Sequence, residues 1–456
     1  MDATSILQNI RSGEITIEKT VSDAIAKIEA THQQLNAATE ILTADANGQL
    51  PDLTDGVLQG LPISIKECYA LAGKKITSGS KRMKPILCTE DAEVVKKLKA
   101  AGAVIVARGN TSEFLLGRET GNLVFGTTNN SINPLLTTGG SSGGDGSLVG
   151  SDCVAIGIGT DIGGSCRYPA VFNGIVGFKP ASGQIDKTGI FPVAGNEFIE
   201  TMNSPGILCR SVRDARLVYN VIGNKPLIAN KDTSNVELYT STGFKVQVKD
   251  ETINIALKAA VDLLKPNTAS VTDIDIPESG SLYVDFTKLI PSGFTNQLYK
   301  WSVTETGKKL SFFGEVVRRL KGKQTLSDEM FALLPAFNLY NLSASKLNKI
   351  IDEVKTLRTK YYSLLGKNGI LILPTVGLLA PAHKKFFPQY NKPGVIKIIT
   401  PVSFCNVLNL SCITIPALKF RKDKNTNPPA LQLIAAAGNE ELLLNLAENL
   451  ETVLKL

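Results

Sequence analysis

Histidine is scarce in this chain, with only His32 and His383 among 456 residues. Both histidines lie outside the glycine-rich segments and outside the predicted strand ends. Histidine is the usual base of a serine triad and the commonest metal ligand, so neither a histidine-based triad nor a histidine-rich metal site has the residues it needs. A nucleophile in this protein would therefore use a different base.

Cysteine is also sparse, since the chain has seven cysteines and no C-x-x-C pair. An odd, thinly spread set of cysteines excludes a disulfide-stapled scaffold and predicts reduced thiols in a cytoplasmic protein.

The net charge of the chain is only +7, which gives a weak electrostatic field for this length and disfavours a dedicated nucleic-acid binder. The 43% hydrophobic content excludes a disordered chain.

Long apolar runs are missing from the first twelve residues, which carry Asp2, Gln8 and Asn9. The start of the sequence therefore predicts neither a signal peptide nor a membrane-spanning helix.

Helix and strand signals alternate along the chain, which predicts an α/β layered fold with some parallel strand pairing. Thr16 is typical of a helix N-cap, and the helix after it is expected to end before His32. A second helix is expected to open at Glu90-Asp91. Further predicted strands cover residues 61–65, 103–107, 370–373, 412–415 and 431–434, and further helices cover 249–264, 343–365 and 440–456.

No linker divides the chain, so residues 1–456 are expected to form one domain. Within it we expect a catalytic core at about 55–215, a variable substrate-pocket region at about 225–345, and a C-terminal part, 346–456, that completes the sheet. Aromatic residues are concentrated in and near the variable region, and most are expected in the core, with the rest lining an apolar pocket.

Glycine is densest between residues 137 and 180, where apolar residues interrupt it, unlike in a flexible linker. The loop Gly139–Gly144 has the small residues of a phosphate cradle. However, it lacks the Lys-Ser/Thr end of a P-loop and the spacing of a dinucleotide fingerprint, so nucleotide binding is disfavoured. These glycines are better explained by close approach of backbone to backbone or to a ligand.

A serine follows two consecutive glycines at Ser165, so the peptide N–H groups of Ile162, Gly163, Gly164 and Ser165 could converge on one point. Such donors are what an oxyanion hole requires, and Ser165 would be the nucleophile. Lys66 follows an apolar strand, and burial would lower its pKa enough for it to act as a base. Taken alone, Lys66 is better explained as a surface lysine. Together with Ser165 it is the remaining candidate base, with a second serine as a proton bridge.

The chain at this point resembles the amidase signature enzymes. The resemblance is carried by GGSSGGDGSLVG at 139–150 and GIGTDIGGSCRYP at 157–169, with support from GLPISIKE at 60–67, TSGS at 77–80 and GIVGFKP at 174–180. It implies one large α/β/α layered domain around a central mixed β-sheet. It also implies hydrolysis of a linear amide without a metal or a cofactor.

The resemblance further implies a Ser–cis-Ser–Lys triad, with Ser165 as nucleophile, Ser141 as the bridging serine after a cis peptide bond, and Lys66 as base. Ser142 and Thr160 would support the lysine, and Arg167 would brace the nucleophile loop. Leu115 would join the oxyanion and substrate-binding residues.

Two branches of the family are weighed for the substrate. Asp145 and the segment 119–129 are similar to the fatty-acid-amide-hydrolase branch, whereas 314–319 is similar to the glutaminase subunit of tRNA-dependent amidotransferases. No carboxylate occurs from Ile396 to Ser403, where that subunit would hold the ammonium of glutamine. A free-standing amidase for a neutral or apolar amide is therefore favoured, and a homodimer is left open. The alternatives are a glutaminase subunit with partner subunits and a catalytically silent interaction subunit.

Overall fold

The computed structural model describes residues 1–241, 244, 248–302, 310–385 and 400–455. The strands of the described residues, numbered in chain order, are β1 (Ala38–Ile41), β2 (Pro62–Lys66), β3 (Lys75–Ile76), β4 (Ile86–Leu87), β5 (Val104–Gly109), β6 (Gly121–Asn122), β7 (Gly126–Thr127), β8 (Ile156–Asp161), β9 (Val176–Lys179), β10 (Ser204–Cys209), β11 (Glu237–Thr240), β12 (Ser270–Asp273), β13 (Gly369–Pro374), β14 (Ser411–Pro416) and β15 (Ala430–Ala435).

The helices of the same residues are α1 (Ala3–Arg11), α2 (Ile17–Leu35), α3 (Thr43–Gln49), α4 (Glu93–Ala100), α5 (Gly143–Gly150), α6 (Arg167–Asn173), α7 (Glu197–Glu200), α8 (Val212–Ile222), α9 (Glu251–Leu264), α10 (Ser279–Trp301), α11 (Phe312–Leu320), α12 (Asp328–Leu339), α13 (Ala344–Leu365), α14 (Thr400–Val407) and α15 (Glu440–Lys455).

Eleven of the strands form one sheet in the order β1-β5-β2-β8-β10-β9-β14-β15-β13-β11-β12. Strand β2 runs parallel to both β5 and β8, and β11 runs parallel to β12 and β13, while the remaining pairs are antiparallel. The expected mixed sheet is therefore confirmed. Its strands come from residues 38 to 435, and the stretches 55–215, 225–345 and 346–456 each contribute strands to it.

Helices cover both faces of the sheet. Along β5, Val104 and Val106 join the apolar cluster that includes side chains of α2 and α5, whereas Ile105 joins the cluster that includes those of α4, α8 and α15. Successive side chains of a strand point to opposite faces, so this alternation separates two helical layers. The α/β/α arrangement follows directly from the apolar runs of the central strands, which are buried on both sides.

Two predicted helix boundaries were wrong. Helix α2 does not end before His32 but continues to Leu35, because Leu35 is buried and extends the apolar face by two turns from Ile28. It stops at Asn36, whose left-handed backbone donates its N–H to the His32 carbonyl. Helix α4 begins at Glu93 rather than at Glu90-Asp91, since Asp91 instead accepts the N–H of Ala72 at 2.8 Å.

Candidate active site

Lys66 ends β2 and its side chain is fully buried. Its Nζ lies 2.6 Å from the Ser141 Oγ, 2.9 Å from the Ser142 Oγ and 2.9 Å from the Thr160 Oγ1. Within the described residues it forms no ion pair, and these three hydrogen bonds all go to hydroxyl groups. Burial lowers the pKa of Lys66 because the charged ammonium loses its hydration.

The loop that carries Ser141 and Ser142 lies tightly against its neighbours. The peptide bond between Gly140 and Ser141 is cis. A Cβ at Gly140 would lie 2.9 Å from backbone carbon atoms of Arg118 and Glu119, so only glycine fits there. The Ser142 N–H donates to the Ser165 carbonyl at 3.1 Å, which joins this loop to the segment after β8.

Ser165 lies between β8 and α6 with 7% of its surface exposed. It lines a cavity of about 410 Å³, and with Ser141 and Thr160 it lines a narrow adjoining space. Strands β2 and β8 are parallel neighbours, so Lys66 and the Ser165 segment leave the sheet at the same edge. The structure therefore brings the three residues of the implied triad together.

Arg167 holds Asp161 at the end of β8. Its Nε donates to Asp161 Oδ2 at 3.0 Å and its Nη2 donates to Oδ1 at 2.9 Å, with both side chains fully buried. Burial would raise the pKa of Asp161, but the Arg167 guanidinium outweighs it and holds that pKa well below its ordinary value. The same carboxylate accepts the N–H groups of Gly164 at 2.8 Å and Cys166 at 3.1 Å. Arg167 thus braces the serine loop through Asp161.

The Gly164 N–H, which was expected in the oxyanion hole, donates to a carboxylate in the structure. The acceptor is Asp161 Oδ1, because the buried carboxylate needs donors on both oxygens, and Gly164 does not line the cavity. Ile162, Gly163 and Ser165 do line it. Leu115 lines it as well, with a left-handed backbone at φ 62°.

Two buried acids near these residues were not given a role by the sequence. Asp161 lies in the motif 157–169, and its contacts in the structure show that it links Arg167 to the backbone of the serine loop. Asp145 in α5 accepts the Ser64 hydroxyl at 2.8 Å, while its second oxygen has no partner in the described part of the chain. A Cβ at Gly109 would lie 2.5 Å from the Asp145 carboxyl group, so that glycine makes room for it.

The aromatic residues in and near the variable region divide into separate groups. Phe337 and Tyr340 line the Ser165 cavity, whereas Trp301 stacks on Phe114. Phe312 stacks on Phe331 with ring centroids 5.2 Å apart. The remaining cavity walls come from the serine loop, from 115–118, and from α10 and α12; they include Phe286, Ile290, Pro291, Leu333 and Ala336.

The segment that is similar to the glutaminase subunit of amidotransferases lies in α11. There Glu315 accepts the N–H of Thr325 at 2.6 Å, and Arg319 donates to Asp328 at 2.7 Å. Neither Arg318 nor Arg319 is among the described residues that line the Ser165 cavity. Of the carboxylate-free segment 396–403, residues 396–399 lie outside the described residues.

Neither a metal cluster nor a spanning helix occurs in the described residues. No group of three or more His, Cys, Asp or Glu side chains is placed there to hold a metal ion. No helix among them has the length and apolar character needed to cross a membrane.

The chain matches the family model described as Amidase over residues 19–444. Fatty-acid amide hydrolase 2-B of Danio rerio is 26% identical over 482 aligned positions, which cover 99% of this chain and 89% of that protein. A glutamyl-tRNA(Gln) amidotransferase subunit of Lactobacillus johnsonii is 30% identical over 395 positions, 81% of this chain and 80% of that protein.

Solved structures share the fold. A crystal structure of an amidase aligns with a TM-score of 0.83 at 24% identity, covering 99% of this chain and 100% of its own. The family match extends well beyond half of the chain. The protein is therefore an amidohydrolase that acts on carbon–nitrogen bonds, and the chain belongs to the amidase signature family.

Proposed function

We propose that the protein hydrolyses a carboxamide to a carboxylate and ammonia or an amine through an acyl-enzyme on Ser165. The observation that carries this proposal is the buried Lys66 amine, 2.6 Å from the Ser141 hydroxyl, beside a narrow space that Ser141 shares with Ser165. Burial lowers the pKa of Lys66, and its printed hydrogen bonds go to hydroxyl groups rather than to a carboxylate, so the lysine is suited to losing its proton. Once neutral, it can act as a base.

The first step transfers a proton along this relay. Neutral Lys66 takes the Ser141 proton while Ser141 takes the proton of the Ser165 hydroxyl. The Ser165 Oγ forms a bond to the amide carbon, and the carbonyl π electrons move onto oxygen. We propose that the peptide N–H groups of Ile162, Gly163 and Ser165, three residues that line the cavity, stabilise that oxyanion.

The second step breaks the carbon–nitrogen bond. The Lys66 ammonium returns its proton through Ser141 to the leaving nitrogen, because an amide anion is too basic to leave unprotonated. A water molecule then attacks the acyl-enzyme and gives its proton to Lys66 by the same route. Release of the acid restores the Ser165 hydroxyl and the neutral lysine.

A free-standing amidase is the branch that we favour. Arg318 and Arg319 of α11 pair with carboxylates outside the cavity, so neither is placed to bind the carboxylate of free glutamine there. The glutaminase component of an amidotransferase remains the second candidate, because a relative with that name is 30% identical over 81% of this chain. That candidate would require partner subunits.

A substrate panel tests the proposal and separates its branches. Purified protein would be given glutamine, short aliphatic amides, aryl amides and long-chain acyl amides, each with and without a charged-tRNA acceptor. We expect turnover of aliphatic or long-chain amides that does not depend on the acceptor. Turnover of glutamine alone would favour the amidotransferase component. No turnover of any amide, with no acyl adduct detected on the peptide containing Ser165 by mass spectrometry, would support the silent interaction subunit instead.

Asp145 gives a pH prediction for the same relay. Burial raises the pKa of Asp145, and when ionised it favours the ammonium form of nearby Lys66. The rate rises with pH as Lys66 loses its proton, so removing the negative charge makes that loss easier. We therefore expect Asp145→Asn to move the rising limb of kcat/KM to lower pH, by about 1 unit.

The matched control for that prediction is Asp152→Asn, which removes a half-exposed carboxylate just beyond the same helix. Its pH profile is expected to equal that of the unsubstituted protein. A limb that stays in place in Asp145→Asn would mean that Asp145 carries no charge while Lys66 titrates. A shift to higher pH would contradict the proposed electrostatic coupling.

A further inference from the structure

One arginine is among the residues that line the otherwise mainly apolar Ser165 cavity. Arg118 lines that cavity, and its Nη2 donates to the Tyr283 hydroxyl at 3.2 Å. In the ranges that the structure describes, no carboxylate lies within ion-pairing distance of this guanidinium. Arginine has five N–H donors, and the bond to the Tyr283 hydroxyl uses one of them.

The backbone of Arg118 is fixed beside the catalytic loop. Its N–H donates to Glu329 Oε1 at 2.7 Å, and the N–H of Glu119 donates to Oε2 at 3.3 Å. On the other side, the Arg118 backbone lies so close to Gly140 that no larger residue fits there. The side chain therefore starts from an anchored position next to the loop that carries Ser141.

Glu329 lines the same cavity but does not satisfy the Arg118 side chain. Each of its oxygens already accepts a backbone N–H. Burial also raises the pKa of Glu329 to about 7, so this carboxyl group is only partly charged near neutral pH. The wall formed by Arg118, Tyr283 and Glu329 is therefore better suited to an anion than to a cation.

Building on the proposed amidase function, we infer that Arg118 is a substrate-binding residue that selects amides carrying a carboxylate at the end of an apolar segment. The planar guanidinium binds a carboxylate through paired N–H bonds, which are strong in a cavity that excludes most water. Phe286, Ile290 and Phe337 line the same cavity and would hold the apolar segment.

Matched amides that differ only at their far end test this inference. The probes are hexanamide, which is neutral, the monoamide of adipic acid, which is anionic, and 6-aminohexanamide, which is cationic; ammonia release gives kcat/KM. We expect the unsubstituted protein to prefer the anionic amide. Arg118→Gln should lower kcat/KM for that amide by about 10- to 100-fold, mainly through KM, and change hexanamide hydrolysis little. Arg118→Lys should restore part of the preference.

A fourth probe, N-hexanoylglycine, places the carboxylate on the amine side of the scissile bond. A loss in Arg118→Gln for this probe alone would assign the guanidinium to the leaving-group side, whereas a loss for the adipic monoamide alone would assign it to the acyl side. Either result supports a carboxylate-binding arginine. Arg213→Gln, which removes a surface arginine paired with Asp2, is the charge-matched control and should leave all four rates unchanged.

Two results would overturn the inference without affecting the amidase proposal. One is a preference for hexanamide over the anionic amides in the unsubstituted protein. The other is an equal fall for neutral and anionic amides in Arg118→Gln with an unchanged thermal melt, which would indicate a structural role only. Failure of the unsubstituted protein to hydrolyse any of the four probes, together with every member of the wider panel, would overturn both proposals.

Discussion

Replacing Ser165 with alanine is expected to abolish amide hydrolysis and covalent labelling by a fluorophosphonate. The probe phosphonylates an activated serine hydroxyl, and Ser165 is the serine that faces both the cavity and Ser141. Loss of a nucleophile from a serine acyl-transfer site lowers kcat by on the order of 10⁶-fold. The fold should be kept, because the Ser165 carbonyl that accepts the Ser142 N–H remains. In-gel fluorescence and a substrate assay on the same preparation measure both effects.

The matched control for Ser165→Ala is Ser147→Ala. Ser147 is a buried serine of α5 whose hydroxyl donates to the Asn129 carbonyl at 2.9 Å, and it does not line the cavity. This variant should label and turn over amide like the unsubstituted protein. Label that persists in Ser165→Ala at the original rate would place the nucleophile on another residue. Label lost without any loss of turnover would exclude an acyl-enzyme on Ser165.

Much of the fold was predictable because its strands are local patterns. Continuous apolar runs such as 370–373 and 431–434 indicated buried strands, and the structure has β13 and β15 there. Their order in the sheet was not predictable in the same way. Strand β2 lies between β5 and β8 in the sheet and does not pair with β1 or β3, the strands next to it in sequence. This strand order depends on packing between distant segments.

The proximity of Ser141, Ser142 and Ser165 could be expected from the two motif stretches, 139–150 and 157–169, that carry the resemblance. The direction of a single peptide N–H could not be expected in this way, because Gly164 donates to a carboxylate whose own position depends on Arg167. The space for Asp145, which lies in α5, depends on Gly109 at the end of β5. Arg118 gave no sequence signal, since its cavity forms only when α10 and α12 pack over the serine loop.

Replacing Lys66 with alanine should lower kcat for amide hydrolysis by about 100- to 10,000-fold, the range typical of a lost general base. The unsubstituted protein should become faster with rising pH until Lys66 is neutral, and burial places that pKa below the value for free lysine. The variant should lose this rising limb. Lys66→Arg, which keeps a permanent charge, should be as slow as Lys66→Ala, whereas loss of packing alone would leave the arginine variant more active.

Lys179 offers a control for removing a buried lysine. It is also fully buried in the sheet, on β9, but its Nζ donates to the carbonyls of Leu410 and Pro180 rather than to serine hydroxyls. Lys179→Met should change the thermal melt, while turnover per folded molecule and its pH profile stay close to those of the unsubstituted protein. If Lys66→Ala, folded by near-ultraviolet circular dichroism, kept near-normal turnover with the same pH limb, the proton of Ser165 would have to leave by a route other than Ser141 and Lys66.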